Sequence, residues 1–458
     1  MPWIRNRKQL VQKIKTAEIR KARELALESL GYALACVNPN RLLKSQVFIK
    51  ESILCAGEHR FDLNRVGNVY VVGGGKAAGA MTVALEEILG ARIKEGVVNV
   101  PHGNKHKARV VKTQEASHPI PDEAGVEGAR RMMTIAENAG RDDLLIMLVS
   151  GGCSSLMPLP RNDVTLKDKQ NITDTLLKSG ARIQEINAVR KHISDIKGGW
   201  LAKKAYPATI LNLILSDVVG DNLETIASGP TVPDSTTFFE AKRVLENYRL
   251  WQNAPITIKK LLSAGEEGIV AETPKPDDPA FKKVHSLVLG NCRSAAAAAC
   301  GHLRAAGLNT LLLSTTLEGE AKHVGKMLGS LANSIGSLGE PIPKPAAIVA
   351  AGETTVTVTG KGRGGRNQEL ILGAAMELNR IEGMVVASLS TDGIDGPTEA
   401  AGAIADTQTY SRAAELGLEP HEFLDQNDSH HFFKKLEDLI ITGPTGTNVN
   451  DISVIIIL

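Results

Sequence analysis

A lysine that directly follows three glycines is the feature of the sequence most suggestive of chemistry. The stretch Val69–Met81 begins with apolar, β-branched residues and continues through Gly73–Gly75 to Lys76. Lys76 opens onto a segment of mostly small residues, Ala77–Leu85. This order predicts a strand, a tight turn and a helix, with glycines that let the backbone approach a ligand closely. Unpaired amides and the dipole at a helix N-terminus attract anions. We therefore predict a phosphate or carboxylate site, with a packing turn beside an exposed lysine as the alternative.

Two further stretches combine small or polar residues in ways that suit anionic ligands. Ser150-Gly-Gly-Cys-Ser-Ser155 follows a continuous apolar run, so its amides and hydroxyls could form an anion-binding nest. A nucleophilic serine is disfavoured because the Gly-x-Ser-x-Gly pattern is absent. Asn187, Arg190 and Lys191 fall within one turn of a polar helix that runs on to Lys197. They could bind a substrate, or they could form an ordinary solvated face.

Aspartates recur where predicted strands end. Asp217 and Asp221 stand four residues apart after an apolar run, and Asp392 and Asp395 repeat the theme in the second half. One carboxylate of such a pair could hold Mg²⁺ and the other could accept a proton. Helix capping by Asp217 or Asp221 and Asp-Gly turns around Asp392 are the structural alternatives.

The segment Gly360–Glu369 has the most unusual composition, with three cations and four glycines placed between a predicted strand and a predicted helix. Backbone amides and guanidinium groups in such a loop can surround phosphates, and a disordered basic loop is the alternative. Together with the aspartates and the lysine, the loop indicates phosphoryl transfer. That reaction needs cations on the moving group, carboxylates for Mg²⁺ and a base near the acceptor hydroxyl. The residues by themselves do not name the substrate.

The overall composition limits the partners and the location of the protein. Lys+Arg 53 against Asp+Glu 51 give a net charge of +2, which provides no general attraction to nucleic acid or to a membrane surface. Aromatic residues at 3% provide few platforms for base stacking. No apolar run approaches the roughly 20 residues needed to span a bilayer. The five scattered cysteines have no metal-ligand spacing and predict reduced thiols in a cytoplasmic protein.

The periodicity predicts an α/β fold. Buried strands such as Leu144–Val149 and Ile210–Leu215 alternate with helices, which is typical of parallel sheets whose ligands bind beyond the carboxyl ends of the strands. Residues up to about Gly57 have a helical pattern, and the alternation of Thr354–Thr359 predicts a strand.

The length predicts at least two domains. A charged, Pro-rich linker at Glu266–Lys283 leads to a second α/β unit that begins with a strand at Ser286–Gly290. We therefore predict an N-terminal domain at 1–282 and a C-terminal domain at 283–458.

Ten motifs spread over nearly the whole chain form a collective signal. The first half contains Val72-Gly-Gly-Gly-Lys-Ala-Ala, Glu115-Ala-Ser-His-Pro-Ile-Pro-Asp, Leu148-Val-Ser-Gly-Gly-Cys-Ser-Ser-Leu, Ile186-Asn-Ala-Val-Arg-Lys-His-Ile-Ser, Leu215-Ser-Asp-Val-Val-Gly-Asp and Ala227-Ser-Gly-Pro-Thr. The second half contains Gly352-Glu-Thr-Thr-Val-Thr-Val, Gly362-Arg-Gly-Gly-Arg-Asn-Gln-Glu, Ser390-Thr-Asp-Gly-Ile-Asp-Gly-Pro-Thr and Gly443-Pro-Thr-Gly-Thr-Asn-Val-Asn-Asp. In these motifs the chain resembles the type II glycerate kinases, the glycerate 2-kinases whose C-terminal half is the MOFRL domain.

The resemblance implies a fold and an activity. The expected fold is a Rossmann-like N-terminal domain with a parallel sheet and a smaller C-terminal α/β domain with a mixed sheet. The expected activity is ATP- and Mg²⁺-dependent phosphorylation of D-glycerate to 2-phosphoglycerate, in a cleft between the two domains. We expect a monomer or a homodimer with no nucleic-acid or membrane partner.

The resemblance also gives expected roles to residues of this sequence. The lysine, the strand-end aspartate and the glycine-loop arginine of the family correspond to Lys76, Asp217 and Arg366, which we predict to be catalytic. The predicted substrate-binding residues are Ser154, Ser155, Asn187, Arg190 and Lys191. The predicted nucleotide- and phosphate-binding residues are Gly74, Gly75, Gly364, Gly365, Asn367, Asp392, Gly443, Thr445 and Asn448. The predicted Mg²⁺ ligands are Asp217 and Asp221.

One position departs from the family pattern, and two other functions compete with the kinase. Cys153 stands where the family usually has a third glycine, so a positive φ there would strain the chain. Some family members were labelled hydroxypyruvate reductases, yet no Gly-x-Gly-x-x-Gly follows a strand here with an acid about 20 residues on. The third possibility is a non-catalytic anion-binding protein, which the presence of Lys76, Asp217 and Arg366 disfavours.

Overall fold

The structure is a computed structural model that describes residues 3–104, 106–378 and 383–458. The chain forms two compact units. Pro39–Leu289 makes up the central unit, and Met1–Asn38 together with Gly290–Leu458 makes up the terminal unit. The division differs from the predicted one at 282/283, because residues 3–38 fold with the C-terminal half and the second unit begins a few residues later.

Strands and helices alternate along most of the chain. The strands are β1 (Val47–Lys50), β2 (Ile53–Ala56), β3 (His59–Asp62), β4 (Val69–Gly74), β5 (Ile93–Pro101), β6 (Val111–Ala116), β7 (Leu144–Val149), β8 (Thr209–Leu215), β9 (Val284–Gly290), β10 (Asn309–Leu317), β11 (Ala346–Gly352), β12 (Met384–Ser390), β13 (Gly402–Asp406), β14 (Leu439–Ile440) and β15 (Asp451–Ile457). The helices are α1 (Arg7–Gln12), α2 (Ala17–Cys36), α3 (Pro39–Gln46), α4 (Ala78–Leu89), α5 (Glu123–Asn138), α6 (Cys153–Leu156), α7 (Leu166–Lys178), α8 (Ile183–His192), α9 (Trp200–Ala205), α10 (Phe238–Asn247), α11 (Ile256–Glu266), α12 (Cys292–Ala305), α13 (Ala321–Leu338), α14 (Arg366–Ala375), α15 (Thr409–Glu415), α16 (Pro420–Asp425) and α17 (Ser429–Lys435). Within the described residues, none of these helices combines the length and the apolar character that crossing a membrane requires.

The main sheet of the central unit has the strand order β6-β5-β4-β7-β8-β9. The pairings β4–β5, β5–β6, β4–β7 and β7–β8 are all parallel, which confirms the predicted parallel sheet. All six side chains of β7 are buried, as expected for a strand covered on both faces. From β4 the chain adds β5 and β6 on one side and then β7 and β8 on the other. Ligands of such sheets bind where the order reverses, beyond the carboxyl ends of the strands.

The sheet of the terminal unit is mixed, as predicted. Its order is β10-β11-β15-β12-β13-β14. Strands β10 and β11 are parallel, whereas β15 is antiparallel to both β11 and β12. The C-terminal strand therefore lies in the middle of the sheet, and all seven of its side chains are buried.

A buried arginine on α2 explains why the first residues belong to the terminal unit. The Arg23 side chain is fully buried, donating from Nε to Asp406 Oδ2 at 2.7 Å and from Nη1 to Asp438 Oδ1 at 2.6 Å. Although burial opposes it, the carboxylate of Asp438, followed by that of Asp406, raises the pKa of Arg23. Removing one partner of such a buried pair is strongly destabilising.

Three predicted elements differ from the structure. The helical pattern predicted to about Gly57 ends with α3, after which β1, β2 and β3 form a small antiparallel sheet. Thr354–Thr359 is not a strand and makes only an isolated bridge between Thr355 and Glu320. The strand predicted to open the second unit is β9, which instead extends the main sheet of the central unit.

Candidate active site

The turn after β4 contains two glycines that no other residue could replace. Gly73 and Gly75 have φ of +143° and +131°, and a Cβ would lie 2.0 Å from Leu148 O and 2.2 Å from Ser150 Oγ, respectively. Gly74 has ordinary backbone angles. The glycines are therefore required to bring this turn against the loop that follows β7.

The amides that precede α4 have protein acceptors. Lys76 N donates to Gly151 O at 2.8 Å, Ala77 N to Ser150 Oγ at 3.0 Å and Ala78 N to Gly75 O at 3.2 Å. The expectation that the first amides of this helix point unpaired at a ligand is thus wrong for these three. The side chain of Lys76, in the turn after β4, is half-buried.

The loop after β7 places its positive φ on Gly152, not on the neighbouring cysteine. Gly152 has φ +82° and precedes α6, whose first residue is the buried Cys153. The expected strain at Cys153 is therefore wrong, because Cys153 has helical geometry. Burial, with a smaller contribution from Asp217 and against the effect of Lys197, raises the pKa of the Cys153 thiol to about 12.

A buried chain of hydrogen bonds starts at a lysine and runs through two serines. Lys197 Nζ donates to Ser154 O at 2.7 Å and to Ser154 Oγ at 3.0 Å. Ser154 Oγ lies 2.9 Å from Ser228 Oγ, which donates to Asn187 Oδ1 at 3.1 Å. Ser228 and its neighbour Ala227 have φ of +60° and +54°, and strain of this kind concentrates at functional sites. We call these residues, Lys197, Ser154, Ser228 and Asn187, the lysine–serine cluster.

Burial has a large effect on the lysine of this cluster. Lys197 is 2% exposed, and burial lowers its pKa to about 7, with Arg190 adding to the effect and Cys153 opposing it. Its ammonium thus changes charge near neutral pH, and an anion nearby would favour the protonated form.

A cavity of about 520 Å³ lies beside the lysine–serine cluster. Its lining includes Ser154, Ser155, Lys169, Arg190 and Lys197. Burial lowers the pKa of Arg190, whose guanidinium has no hydrogen bond or ion pair within the described residues. An arginine in a cavity without a protein acceptor is suited to a carboxylate or phosphate ligand.

Lys191, the residue after Arg190, is engaged elsewhere. It is 3% exposed and donates to Asp234 Oδ1 at 3.1 Å and to Glu224 Oε2 at 3.2 Å. The structure thus brings Ser154, Ser155 and Arg190 to one cavity and Asn187 to the adjoining cluster, whereas Lys191 forms a buried ion pair.

Asp217 and Asp221 follow β8 at the same edge of the sheet. Both are half-buried, and Asp221 ends a short 3₁₀ turn with φ +54°. In the part of the chain that the structure describes, no group of three or more His, Cys, Asp and Glu side chains could hold a metal ion. A metal here would have two protein carboxylates at most.

In the terminal unit, Arg366 is the first residue of α14 and is held by two carboxylates. Its Nε and Nη2 bond to Asp451 Oδ2 and Oδ1 at 2.5 and 3.0 Å, and its Nη1 bonds to Glu353 Oε1 at 2.6 Å. Although burial opposes it, Asp451 above all raises the pKa of Arg366. The guanidinium is therefore permanently charged, and 30% of its side chain remains exposed.

The glycines before Arg366 allow the loop to pack closely. A Cβ on Gly364 would lie 2.3 Å from Ser429 Oγ, and one on Gly365 would lie 2.3 Å from Asp395 Cγ. Asn367 is 1% exposed, donates to Asp395 and accepts from Ser388. These contacts explain Gly364, Gly365 and Asn367 as packing residues, so their predicted phosphate-binding role stays a prediction.

The predicted nucleotide side contains two loops that are hydrogen-bonded to each other. Asp392 Oδ1 accepts from Ser390 Oγ and Ile394 N, both at 3.0 Å, and Asp392 O accepts from Thr445 N at 3.2 Å. Gly443 favours glycine because its φ is +68°, and a Cβ there would displace the Arg5 guanidinium, whose Nη2 would lie 2.4 Å away.

Thr445 and Asn448 also bind within the same two loops. Thr445 Oγ1 donates to Thr391 O at 2.6 Å, and Asn448 Oδ1 accepts from Asn450 N at 3.4 Å. The structure therefore brings Asp392 and Thr445 together in the terminal unit, and their predicted nucleotide-binding role stays a prediction.

Comparison with known proteins places this geometry in a family. Residues 25–263 match a domain of unknown function (DUF4147), and residues 346–451 match the MOFRL family. A glycerate 2-kinase of Pyrococcus horikoshii is 42% identical over 95% of this chain and 97% of its own length. The chain belongs to the type II glycerate kinases.

Other relatives match most of the chain, and a solved structure among them has a similar fold. A D-glycerate 2-kinase of Thermotoga maritima is 39% identical over 94% of this chain and 97% of its own. The crystal structure of a glycerate kinase from Thermotoga maritima has a TM-score of 0.85 at 38% identity, covering 95% of this chain and 99% of that one. A putative hydroxypyruvate reductase of Agrobacterium vitis is 40% identical over 85% of this chain and 87% of its own.

Three polar residues of this glycerate kinase's cavity region were missing from the predicted site. Lys169 and Lys197 line the cavity, and Ser228 joins Ser154 to Asn187. Two signals were available, because Lys197 stands directly before Gly198-Gly199 and Ser228 lies in the motif Ala227-Ser-Gly-Pro-Thr. The contacts of Lys169 are set by the tertiary fold and leave no local pattern.

Proposed function

We propose that the protein is a glycerate 2-kinase that transfers the γ-phosphoryl group of ATP to the 2-hydroxyl of D-glycerate, giving 2-phosphoglycerate and ADP. The observation that carries the proposal is similarity to two proteins named as glycerate 2-kinases over at least 94% of this chain. The cavity of the central unit supports it, because its cations suit a small organic acid.

The proposed acceptor site is the cavity beside the lysine–serine cluster. Arg190 binds the carboxylate of D-glycerate, since its guanidinium has no acceptor within the described residues. Ser154, Ser155 and Asn187 hydrogen-bond to the acceptor hydroxyls. Lys197 keeps Ser154 in place through its two hydrogen bonds and adds positive charge when it is protonated.

The proposed cations for the moving phosphoryl group are Lys76 and Arg366. In phosphoryl transfer most of the catalysis is positioning and stabilisation of charge on the transferred group. Arg366 suits this role because two carboxylates fix its orientation while part of its side chain stays exposed. That both cations act on one phosphoryl group, in a cleft between the two domains, stays a prediction from the resemblance.

The proposed base and metal ligand are the aspartates after β8. As the acceptor oxygen bonds to the γ-phosphorus and the bond to ADP breaks, Asp217 accepts the proton of the 2-hydroxyl. The donor set also fits Mg²⁺, which proteins hold through one or two carboxylates completed by substrate phosphates. With Asp217 as the base, Asp221 would be the Mg²⁺ ligand, and bound Mg²⁺ would neutralise charge on the phosphates.

A coupled assay tests the proposal. We expect product from D-glycerate, ATP and Mg²⁺ that enolase converts directly, because enolase accepts 2-phosphoglycerate and not the 3-phosphate isomer. Product that reacts only after addition of phosphoglycerate mutase would contradict transfer to the 2-hydroxyl. Loss of turnover on chelation with EDTA, restored by Mg²⁺, would support the metal.

A reductase is the second candidate, favoured by the name of the Agrobacterium vitis relative. It predicts oxidation of NADH or NADPH on addition of hydroxypyruvate without ATP. We expect none, because the turn after β4 lacks the dinucleotide fingerprint. A cytoplasmic location and a monomeric or homodimeric state stay predictions from the sequence.

A further inference from the structure

A second lysine enters the acceptor cavity from α7. Lys169 is 6% exposed, and its single hydrogen bond within the described residues runs from Nζ to Ile193 O at 3.1 Å. An ammonium group has three donors. Two of them are thus left without a protein acceptor in a cavity wall, and a buried polar group without partners is costly.

The cavity can hold more positive charge than one carboxylate offsets, because Lys169, Arg190 and Lys197 all line it. Asp174 lines it as well, but its side chain is 62% exposed. Asp195 raises the pKa of Lys169, but its side chain is 45% exposed. D-Glycerate brings a single negative charge, which does not offset the three cations when both lysines are protonated.

The cavity is also larger than a three-carbon acid needs. Its volume of about 520 Å³ falls within the roughly 300–1,000 Å³ typical of pockets for drug-sized ligands. The lining of the cavity also includes Pro119, Pro121 and Gln170. There is room for a second acidic group on the acceptor.

We propose that Lys169 forms a subsite that binds a second carboxylate beside the one that Arg190 binds, so that the acceptor cavity binds doubly charged 2-hydroxy acids more tightly than singly charged ones. The inference rests on the proposed function only for the identity of the cavity as the acceptor site. It adds a chemical class of ligand, the 2-hydroxy dicarboxylates, and a residue that selects them.

The charge state of Lys169 supplies a second signature. Burial, together with the positive charges of Lys197 and Arg190 and against Asp195, holds the pKa of Lys169 well below its usual range. A bound dianion favours the protonated ammonium. Binding of a dianion is therefore accompanied by proton uptake, whereas binding of D-glycerate takes up fewer protons.

Isothermal titration of the full chain without nucleotide tests the proposal. The two probes are 2-hydroxymalonate, which is glycerate with its terminal carbon as a second carboxylate, and D-glycerate. We expect 2-hydroxymalonate to bind about tenfold more tightly, the effect of one added charged hydrogen bond. Titrations in two buffers of different ionisation enthalpy give the number of protons taken up. Equal affinities for the two acids overturn the proposal.

Three variants locate the effect. Lys169→Met is expected to remove the preference for 2-hydroxymalonate and its proton uptake while changing D-glycerate affinity less than about twofold. Lys169→Arg, which keeps the charge, is expected to retain the preference. Lys260→Met, which removes an exposed lysine outside the cavity, is the matched control for net charge. Equal weakening of both acids by Lys169→Met would contradict a selective subsite.

The outcomes separate this inference from the proposed function. Preference for the dianion that depends on Lys169 in a protein without kinase activity would uphold the subsite and reject the kinase. Kinase activity with D-glycerate and no preference for the dianion would uphold the kinase and reject the subsite. Thermal unfolding of Lys169→Met beside the wild type shows whether the variant is folded, and the wild-type titration decides the question without any variant.

Discussion

The two arginines proposed to bind ligands have opposite surroundings. Arg190 of the central unit lines a cavity and has no hydrogen bond or ion pair within the described residues. Arg366 of the terminal unit makes three hydrogen bonds to the carboxylates of Asp451 and Glu353. Arg190 can therefore pair with a ligand, whereas protein carboxylates already fix the orientation of Arg366. The first should therefore control affinity, and the second should control the rate of transfer.

The same contrast occurs between neighbours on α8. Arg190 faces the cavity, whereas Lys191 is paired with the buried Asp234. Substitutions at these two positions should therefore separate binding from stability, although the residues are adjacent in sequence.

The largest expected effect is on stability, at Lys191. Lys191→Met leaves Asp234 buried without its cation, and breaking such a pair costs about 3–5 kcal/mol. We expect this loss in the free energy of unfolding, measured by urea denaturation. Arg190→Met is the control on the same helix and should be close to the wild type. A stable Lys191→Met protein with a raised KM for D-glycerate would instead support Lys191 as a substrate ligand.

The next effect is on turnover, at Arg366. Arg366→Ala removes charge that stabilises the transferring group, so kcat should fall about 100-fold or more, measured by the enolase-coupled assay on folded protein. Arg363→Ala is the control, because Arg363 is an exposed arginine of the same loop. Unchanged turnover in Arg366→Ala would remove this arginine from the mechanism.

The third effect is on stability at acidic pH, at Glu272. Although burial opposes it, hydrogen bonds from His192 Nε2 at 2.8 Å and Phe238 N at 2.9 Å lower the pKa of Glu272 to about 2. A depressed pKa gives stability that is present above the ordinary value of 4.5 and lost as the pH falls toward 2. Because the Glu272 side chain is 33% exposed, solvent screens its interactions, and we expect a loss of about 2 kcal/mol in the free energy of unfolding.

Glu272→Gln is the variant that checks this loss. Its unfolding free energy should fall less steeply than that of the wild type between pH 4.5 and pH 2. Parallel pH profiles for the two proteins would show that Glu272 has no lowered pKa.

The fourth effect is on affinity, at Arg190. Arg190→Met should raise KM for D-glycerate about tenfold with kcat nearly unchanged, because a charged hydrogen bond to the acceptor is lost. The thermal midpoint should change little, since no hydrogen bond or ion pair within the described residues is removed. An unchanged KM would show that the acceptor binds elsewhere.

The smallest effect concerns the family's third glycine. Because Cys153 begins α6 with helical geometry, Cys153→Gly should destabilise the protein by about 1 kcal/mol. A strained Cys153 predicts the opposite sign, so a more stable Cys153→Gly protein would contradict the structure. Urea denaturation distinguishes the two results.

The sequence predicts those parts of the fold whose cause is local. The predicted bounds of β7 are correct because every side chain in this strand is apolar and buried. β1–β3 were missed because they are four residues long with mixed exposure, so their pattern is weak. Thr354–Thr359 alternates like a strand, but no neighbouring strand pairs with it. Pairing is a tertiary property that alternation cannot supply.

The site shows the same limit. The sequence places Asn187, Arg190 and Lys191 on one helix, but it does not reveal that Lys191 pairs with Asp234, which lies 43 residues away along the chain. Lys197 and Ser154, also 43 residues apart, meet only in the folded chain. The residue type identifies a candidate cation, but the groups that accept its hydrogen bonds come from distant parts of the sequence.

The bond between Arg23 and its two aspartates also sets an order of events during synthesis. Helix α2 leaves the ribosome roughly four hundred residues before Asp406 and Asp438 do. At about 5–20 residues per second, synthesis of the intervening chain takes tens of seconds. Throughout that time the helix carries a cation whose permanent partners do not yet exist. The central unit can complete its own core in the interval, so α2 is made before the central unit but reaches its final contacts after it.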